Sequence, residues 1–89
     1  MKYVLFYEAA PDAASTAPLH WSEHEKLLGE FHGRGDLLMV GTFTDLAGRG
    51  AMAIFTNAAA AEEFAGRDPF VAHGVVVRHE VCEWNEVLA

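Results

Sequence analysis

DLLMVGTFTDLAGRGAMAIFT, residues 36–56, is the segment whose reading decides the fold. In DLLMVGTFT, at 36–44, Leu37, Met39 and Phe43 alternate with Leu38, Val40 and Thr42, which marks a strand with apolar side chains on both faces. AMAIFT at 51–56 reads as a second strand and LAGRG at 46–50 as a turn, so the segment folds back on itself as a hairpin.

Toward the N-terminus, the stretch from about Ser22 to Arg34 turns helical, with Trp21, His24, Leu28 and Phe31 on one face and Glu25, Lys26, Glu30 and Arg34 at polar positions. Ser22 and Glu25 have capping-box spacing, although a start a turn earlier, near Thr16 or Pro18, also fits; Gly33 and Gly35 end the helix. Ala9 to Ala17, with Pro11 and small residues, reads as a loop. KYVLFYE at 2–8 is a strand with Tyr3, Leu5 and Tyr7 on one face and Val4 and Phe6 on the other. Toward the C-terminus, Thr56 or Asn57 caps an alanine-rich helix that runs to about Ala65 and stops at Gly66. Asp68-Pro69 opens a half-helix, DPFVAHG, and VVVRHEVCEW at 75–84 is the last strand.

The order βαββαβ is that of a ferredoxin-like α+β fold, with two helices on one face of a four-stranded antiparallel sheet, in a single domain over 1–89. Three strands carry apolar residues on both faces, and two helices cover only one. The cheapest cover for the other face is a second copy of the chain, so a homodimer packed through the sheet is expected. A monomer with its N-terminal loop or the tail from Asn85 to Ala89 lying over that face is the alternative.

A net charge of −7 argues against a nucleic-acid partner, since affinity for phosphates comes from clustered Lys and Arg. No apolar run is long enough to span a bilayer, so no membrane partner is expected. Met1-Lys2 leads straight into a strand pattern rather than an export signal, and Cys82 is the single cysteine, which together point to the cytoplasm. HWSEH at 20–24 spells the HxxEH of a class of zinc peptidases. That reading is set aside: 89 residues are a small scaffold for such a site, and with a helix starting near Ser22 the two histidines are not one turn apart on it. No metal and no cofactor is expected.

His24, on the apolar face of its helix, is either a buried histidine with one hydrogen bond or a proton acceptor. Asp68, before a proline, is either a helix N-cap or the partner of a histidine. Three features settle what the chain is similar to: a helix with His24 ahead of GDLLMVGTF at 35–43, an AIF strand at 53–55, and DPFVAHGVV at 68–76, between the second helix and the last strand. With these the chain resembles the YciI-like (YCII-related) family over nearly its whole length. The resemblance implies a dimeric α/β barrel built from ferredoxin-like halves and similar to the muconolactone isomerases. It also implies a catalytic dyad of a helical histidine and the DPF aspartate, corresponding to His24 and Asp68. Some relatives are dehydrochlorinases of chlorinated hydroxyhydroquinones. Many members have an arginine three residues before the histidine; Trp21 stands there here, which suits core packing or a flat apolar ligand better than an anion.

The expected function is therefore a cofactor-independent elimination or isomerisation of a small cyclic or aromatic compound, with His24 and Asp68 catalytic and Trp21, Phe31, Phe70, Tyr7 and His73 around the ligand. A non-catalytic dimeric module that binds a small molecule or serves assembly is the alternative, and a cofactorless monooxygenase of the related barrel type comes third.

Overall fold

Strand β1 (Lys2–Ala9) is central, because its neighbours pair with both of its edges. The computed structural model describes residues 1–44 and 50–89. After β1 come helix α1 (Ala13–Gly33), strands β2 (Leu37–Thr42) and β3 (Ala51–Phe55), helix α2 (Ala58–Arg67), the short helix α3 (Pro69–Ala72) and strand β4 (Val76–Trp84). The four strands form one antiparallel sheet in the order β2-β3-β1-β4, the arrangement expected of a ferredoxin-like fold. The hairpin turn expected at 46–50 lies outside the described residues, apart from Gly50. Among the described residues no helix is long and apolar enough to cross a membrane.

Register assigns the two faces. Tyr3, Leu5 and Tyr7 stand opposite Phe55, Ala53 and Ala51 of β3 and Glu83, Val81 and His79 of β4, on the side covered by the helices. Val4 and Phe6 share the outer face with Ile54, Met52, Cys82 and Glu80. In β2 the simple alternation fails. A shift in register between Leu37 and Met39 puts Leu37 opposite Phe55 but Met39 opposite Ile54, so these two face opposite sides and not the same side as expected. An extra residue in one strand of a pair reverses the alternation beyond it, and sequence periodicity alone does not reveal where it falls.

Helix α1 starts at Ala13, more than a turn before Ser22, and takes in half of the expected loop as well as Pro18. Ala13, Ala14 and Ala17 are the best helix formers, and the Ser15 hydroxyl returns to the Asp12 carbonyl oxygen at 2.9 Å, which closes the first turn. Arg34 closes the other end, and Gly35 follows it with φ of 83°, a conformation that costs other residues energy. The buried face of α1 holds His24, Leu27 and Phe31, with Leu27 rather than Leu28 pointing fully inward. In α2, which extends past Gly66 to Arg67, Asn57 caps the start by accepting from the Ala60 amide at 2.8 Å.

At the centre of the core, Phe31, Phe55 and Phe64 meet with centroids 5.3 to 6.3 Å apart, the Phe31 ring lying edge-on to the other two. Above Phe31 the Arg34 guanidinium lies 4.2 Å from the ring centroid. Arg34 and Arg67 join Glu30 and Glu63 across α1 and α2, with Arg67 to Glu30 at 2.6 Å and Arg34 to Glu63 at 3.1 Å. These groups are exposed to water, so the network orients the helices more than it stabilises them.

At the hairpin end of the sheet, Gly50 donates from its amide to the Tyr7 carbonyl oxygen at 3.0 Å. A Cβ on Gly50 would stand 2.9 Å from that oxygen and 3.1 Å from the Ala9 nitrogen, so the close approach requires glycine. Truncation of Phe31 to alanine should lower the unfolding free energy by about 3–5 kcal/mol in urea, the usual cost of emptying an aromatic site in a packed core.

Candidate active site

Asp68 leads α2 into α3. Pro69 fixes the first helical position after it, and the Asp68 side chain caps α3 by accepting from the Phe70 amide at Oδ1, 3.0 Å away. The same oxygen faces Nδ1 of His24 at 2.8 Å, and Oδ2 accepts from the Tyr7 hydroxyl at 2.7 Å. The two readings of Asp68, as cap and as histidine partner, are thus both satisfied by one side chain. It is 1% exposed, and its histidine partner is 7% exposed.

Three elements deliver these groups. His24, Leu27 and Phe31 follow one another at about one turn each on the buried face of α1, β1 carries Tyr7 inward beside Leu5, and the α2–α3 junction supplies Asp68. Aromatic rings hold the imidazole. Phe70 stacks on it nearly parallel, with 3.8 Å between centroids, Trp21 lies tilted at 5.6 Å and Phe64 meets it edge-on at 6.3 Å. With Nδ1 committed to a carboxylate, Nε2 is the ring nitrogen left for other chemistry. Burial first, and then the bond to Asp68 and its charge, push the Tyr7 phenol well above the ordinary tyrosine range, so it stays protonated and donates.

Other expected site residues are placed differently. Trp21 is half exposed at the rim. His73, at the end of α3, stacks on His20 at 4.2 Å with the ring planes 2° apart, a contact that the sequence reading did not foresee. Phe31, expected beside the ligand, has no exposed surface and belongs to the core, because the inward face of α1 continues past His24 under α2. His20 lies within α1, contrary to the expectation that it precedes the helix, so it stands one turn from His24. The rings have other partners, however: His20 has His73, and His24 has Asp68 and Phe70. Among the described residues no group of three or more His, Cys, Asp or Glu side chains is arranged to hold a metal ion.

An open groove of about 540 Å³ is lined by Phe6, Glu8, Met52, Arg78 and Glu80 of the outer side of the sheet, together with Tyr7, His79 and Phe43. Neither His24 nor Asp68 lines it, and the register places these outer residues on the side of the sheet opposite the core.

Comparison with known proteins agrees with the fold. The YCII-related domain family matches residues 1–85. The chain belongs to this family. Among solved structures the YCII-related domain is similar to 5-chloro-2-hydroxyhydroquinone dehydrochlorinase (TftG) from Burkholderia phenoliruptrix AC1100, in complex with 2,5-dihydroxybenzoquinone. The TM-score is 0.72 at 18% identity, over 96% of this chain and 94% of that one. Rv0793 from Mycobacterium tuberculosis follows, with a TM-score of 0.49 at 12% identity over 98% and 97% of the two chains. At 18% identity the likeness to the dehydrochlorinase is one of fold. No curated protein matches the chain.

The raised Tyr7 pKa couples stability to alkaline pH. Folding favours the protonated phenol, so this contribution is intact below the unfolded value of about 10 and is lost as pH rises beyond it. In urea titrations near pH 8, Tyr7→Phe should be less stable than the wild type by about 1–3 kcal/mol, because Asp68 Oδ2 loses its donor. Above pH 10 the two curves should converge.

Proposed function

We propose that the YCII-related domain is a small enzyme whose His24–Asp68 dyad moves a proton in the elimination or isomerisation of a small cyclic or aromatic compound, with no cofactor. The 2.8 Å contact of His24 Nδ1 with a buried carboxylate carries this reading. In it, Nε2 takes a proton from the substrate, and Asp68 holds the ring and stabilises the imidazolium that forms. Trp21 and Phe70 present an apolar, flat surface beside the imidazole, which supports a ring-shaped ligand. His73 and Tyr7 complete the surroundings, with Tyr7 reaching the dyad through Asp68. On a chlorinated hydroxyhydroquinone, one hydroxyl proton moves to the ring carbon that bears chlorine, which becomes tetrahedral beside a carbonyl; a second hydroxyl proton then passes to His24 as chloride leaves with the electrons of its carbon bond. The ring then ends at the quinone level without an external oxidant.

The domain works as a homodimer in this reading. Phe6 is 40% and Trp84 48% exposed on the outer face, and the open groove there is a poor surface to leave in water. The tail offers it little, because Val87 and Leu88 stand out in solvent. Sedimentation at micromolar concentration should give a dimer, and Phe6→Arg should give monomers. A wild-type protein that stays monomeric would remove this part of the reading.

The small exposed area of His24 favours a second reading, a dimeric binding module in which the histidine is structural. Chloride release from 5-chloro-2-hydroxyhydroquinone, together with calorimetric titration of 2,5-dihydroxybenzoquinone, separates the two. For the enzyme, His24→Ala should abolish chloride release and Asp68→Asn should reduce it by about 100-fold or more, the scale of a positioned acid–base group. Binding of the quinone that survives His24→Ala, with no turnover in the wild type, would leave the module.

A further inference from the structure

Both carboxylate oxygens of Asp68 are engaged, and unevenly. Oδ1 serves two donors, His24 Nδ1 and the Phe70 amide, while Oδ2 has the Tyr7 hydroxyl at 2.7 Å. At 1% exposure water has almost no access to the carboxylate, so Tyr7 is what satisfies its second oxygen. Tyr7 is itself firmly placed. Its ring belongs to the core, β1 is paired along both edges, and the Gly50 amide binds its carbonyl oxygen.

We propose that Tyr7 is a positioning residue of the dyad: its phenol reserves Asp68 Oδ1 for His24, and by drawing charge toward Oδ2 it sets how strongly Asp68 holds the Nδ1 proton. This deepens the acid–base reading and rests on it for any consequence in turnover. Because burial keeps the phenol protonated, Tyr7 donates to the carboxylate and does not compete for the histidine's proton. Asp68 therefore accepts on both oxygens, His24 carries its proton on Nδ1, and Nε2 is left with the lone pair that a base needs. Hydrogen bonds that share one acceptor group polarise one another, so the Tyr7 bond and the His24 bond trade strength through the carboxylate. A stronger donor at Oδ2 leaves a weaker hold on the imidazole, and a missing donor leaves a tighter one.

The test is made on the ligand-free protein by NMR of ¹⁵N-labelled histidine, reading the Nδ1 proton resonance of His24 and the ring tautomer. In the wild type the neutral ring should be protonated at Nδ1, with a downfield Nδ1 proton. Tyr7→Phe, which keeps the ring in the core, should move that proton further downfield. Incorporation of 3-fluorotyrosine in a Tyr3→Phe background makes the phenol at position 7 a stronger donor and should move it upfield. This arm stands alone if Tyr7→Phe fails to fold. An Nδ1 resonance that stays in place, or shifts that run in the opposite order, would overturn the proposal, even with a large change in stability, since a tyrosine that merely fills space alters unfolding without an ordered series. The acid–base reading fails on a different observation, retained chloride release in His24→Ala, so the two failures are told apart.

Discussion

A carboxylate cut off from water has to find its donors within the protein, and for Asp68 they come from three separate elements. The His24 ring arrives on α1, the Tyr7 hydroxyl on the central strand and the Phe70 amide on the first turn of α3. Burying a charge without such partners would cost several kcal/mol, a large share of the stability of a domain this size. The helix pair, the sheet and the α2–α3 junction are therefore held to one mutual arrangement, because another would leave an oxygen of Asp68 without a donor. Structure and candidate chemistry rest on the same three contacts. A residue that caps a helix also orients a histidine, which leaves little freedom to alter one role without the other.

The two ends of the core divide the work. Toward the α1–α2 crossing, Phe31, Phe55 and Phe64 interlock under the guanidinium groups of Arg34 and Arg67, an apolar block closed by charges that remain in water. Toward the other end, Phe64 also touches the edge of the His24 ring, and from there the packing turns from aliphatic and aromatic to polar. Two of the chain's cations are thus engaged with Glu30 and Glu63 on the helix surface, away from the dyad. The rings nearest the imidazole of His24 are those of Trp21 and Phe70.

Much of this was legible in the sequence, for physical reasons that also explain what was not. Alternation in KYVLFYE gave the correct faces of β1, because regular strands keep their period. In DLLMVGTFT the same rule misplaced Met39 relative to Leu37, since the bulge depends on pairing with β3. Helix α1 was read too short: Pro11 and the small residues after it look like loop composition, whereas alanine propensity and the returning Ser15 hydroxyl start a helix at Ala13 that runs on through Pro18. His24 and Asp68 were paired by family resemblance and meet at hydrogen-bond distance, yet spacing alone would not have joined residues 44 positions apart. Tyr7 was expected near a ligand, but its bond to Asp68 spans 61 positions and left no local trace. Phe31 followed the helical period correctly and was misassigned only in its role, since periodicity tells which face is buried and not what lies against it.

Gly50 gives the arrangement a reach beyond the residues that make it. Its amide holds the Tyr7 carbonyl, and the backbone there leaves no room for a side chain. Any substitution would press on β1 at the residue whose phenol meets Asp68, so the sheet would transmit a crowded hairpin end to the histidine. The tolerance of the dyad to sequence drift is thereby limited by a residue that never touches it, and a survey of variation confined to the lining of the site would miss a position that has no room for a side chain.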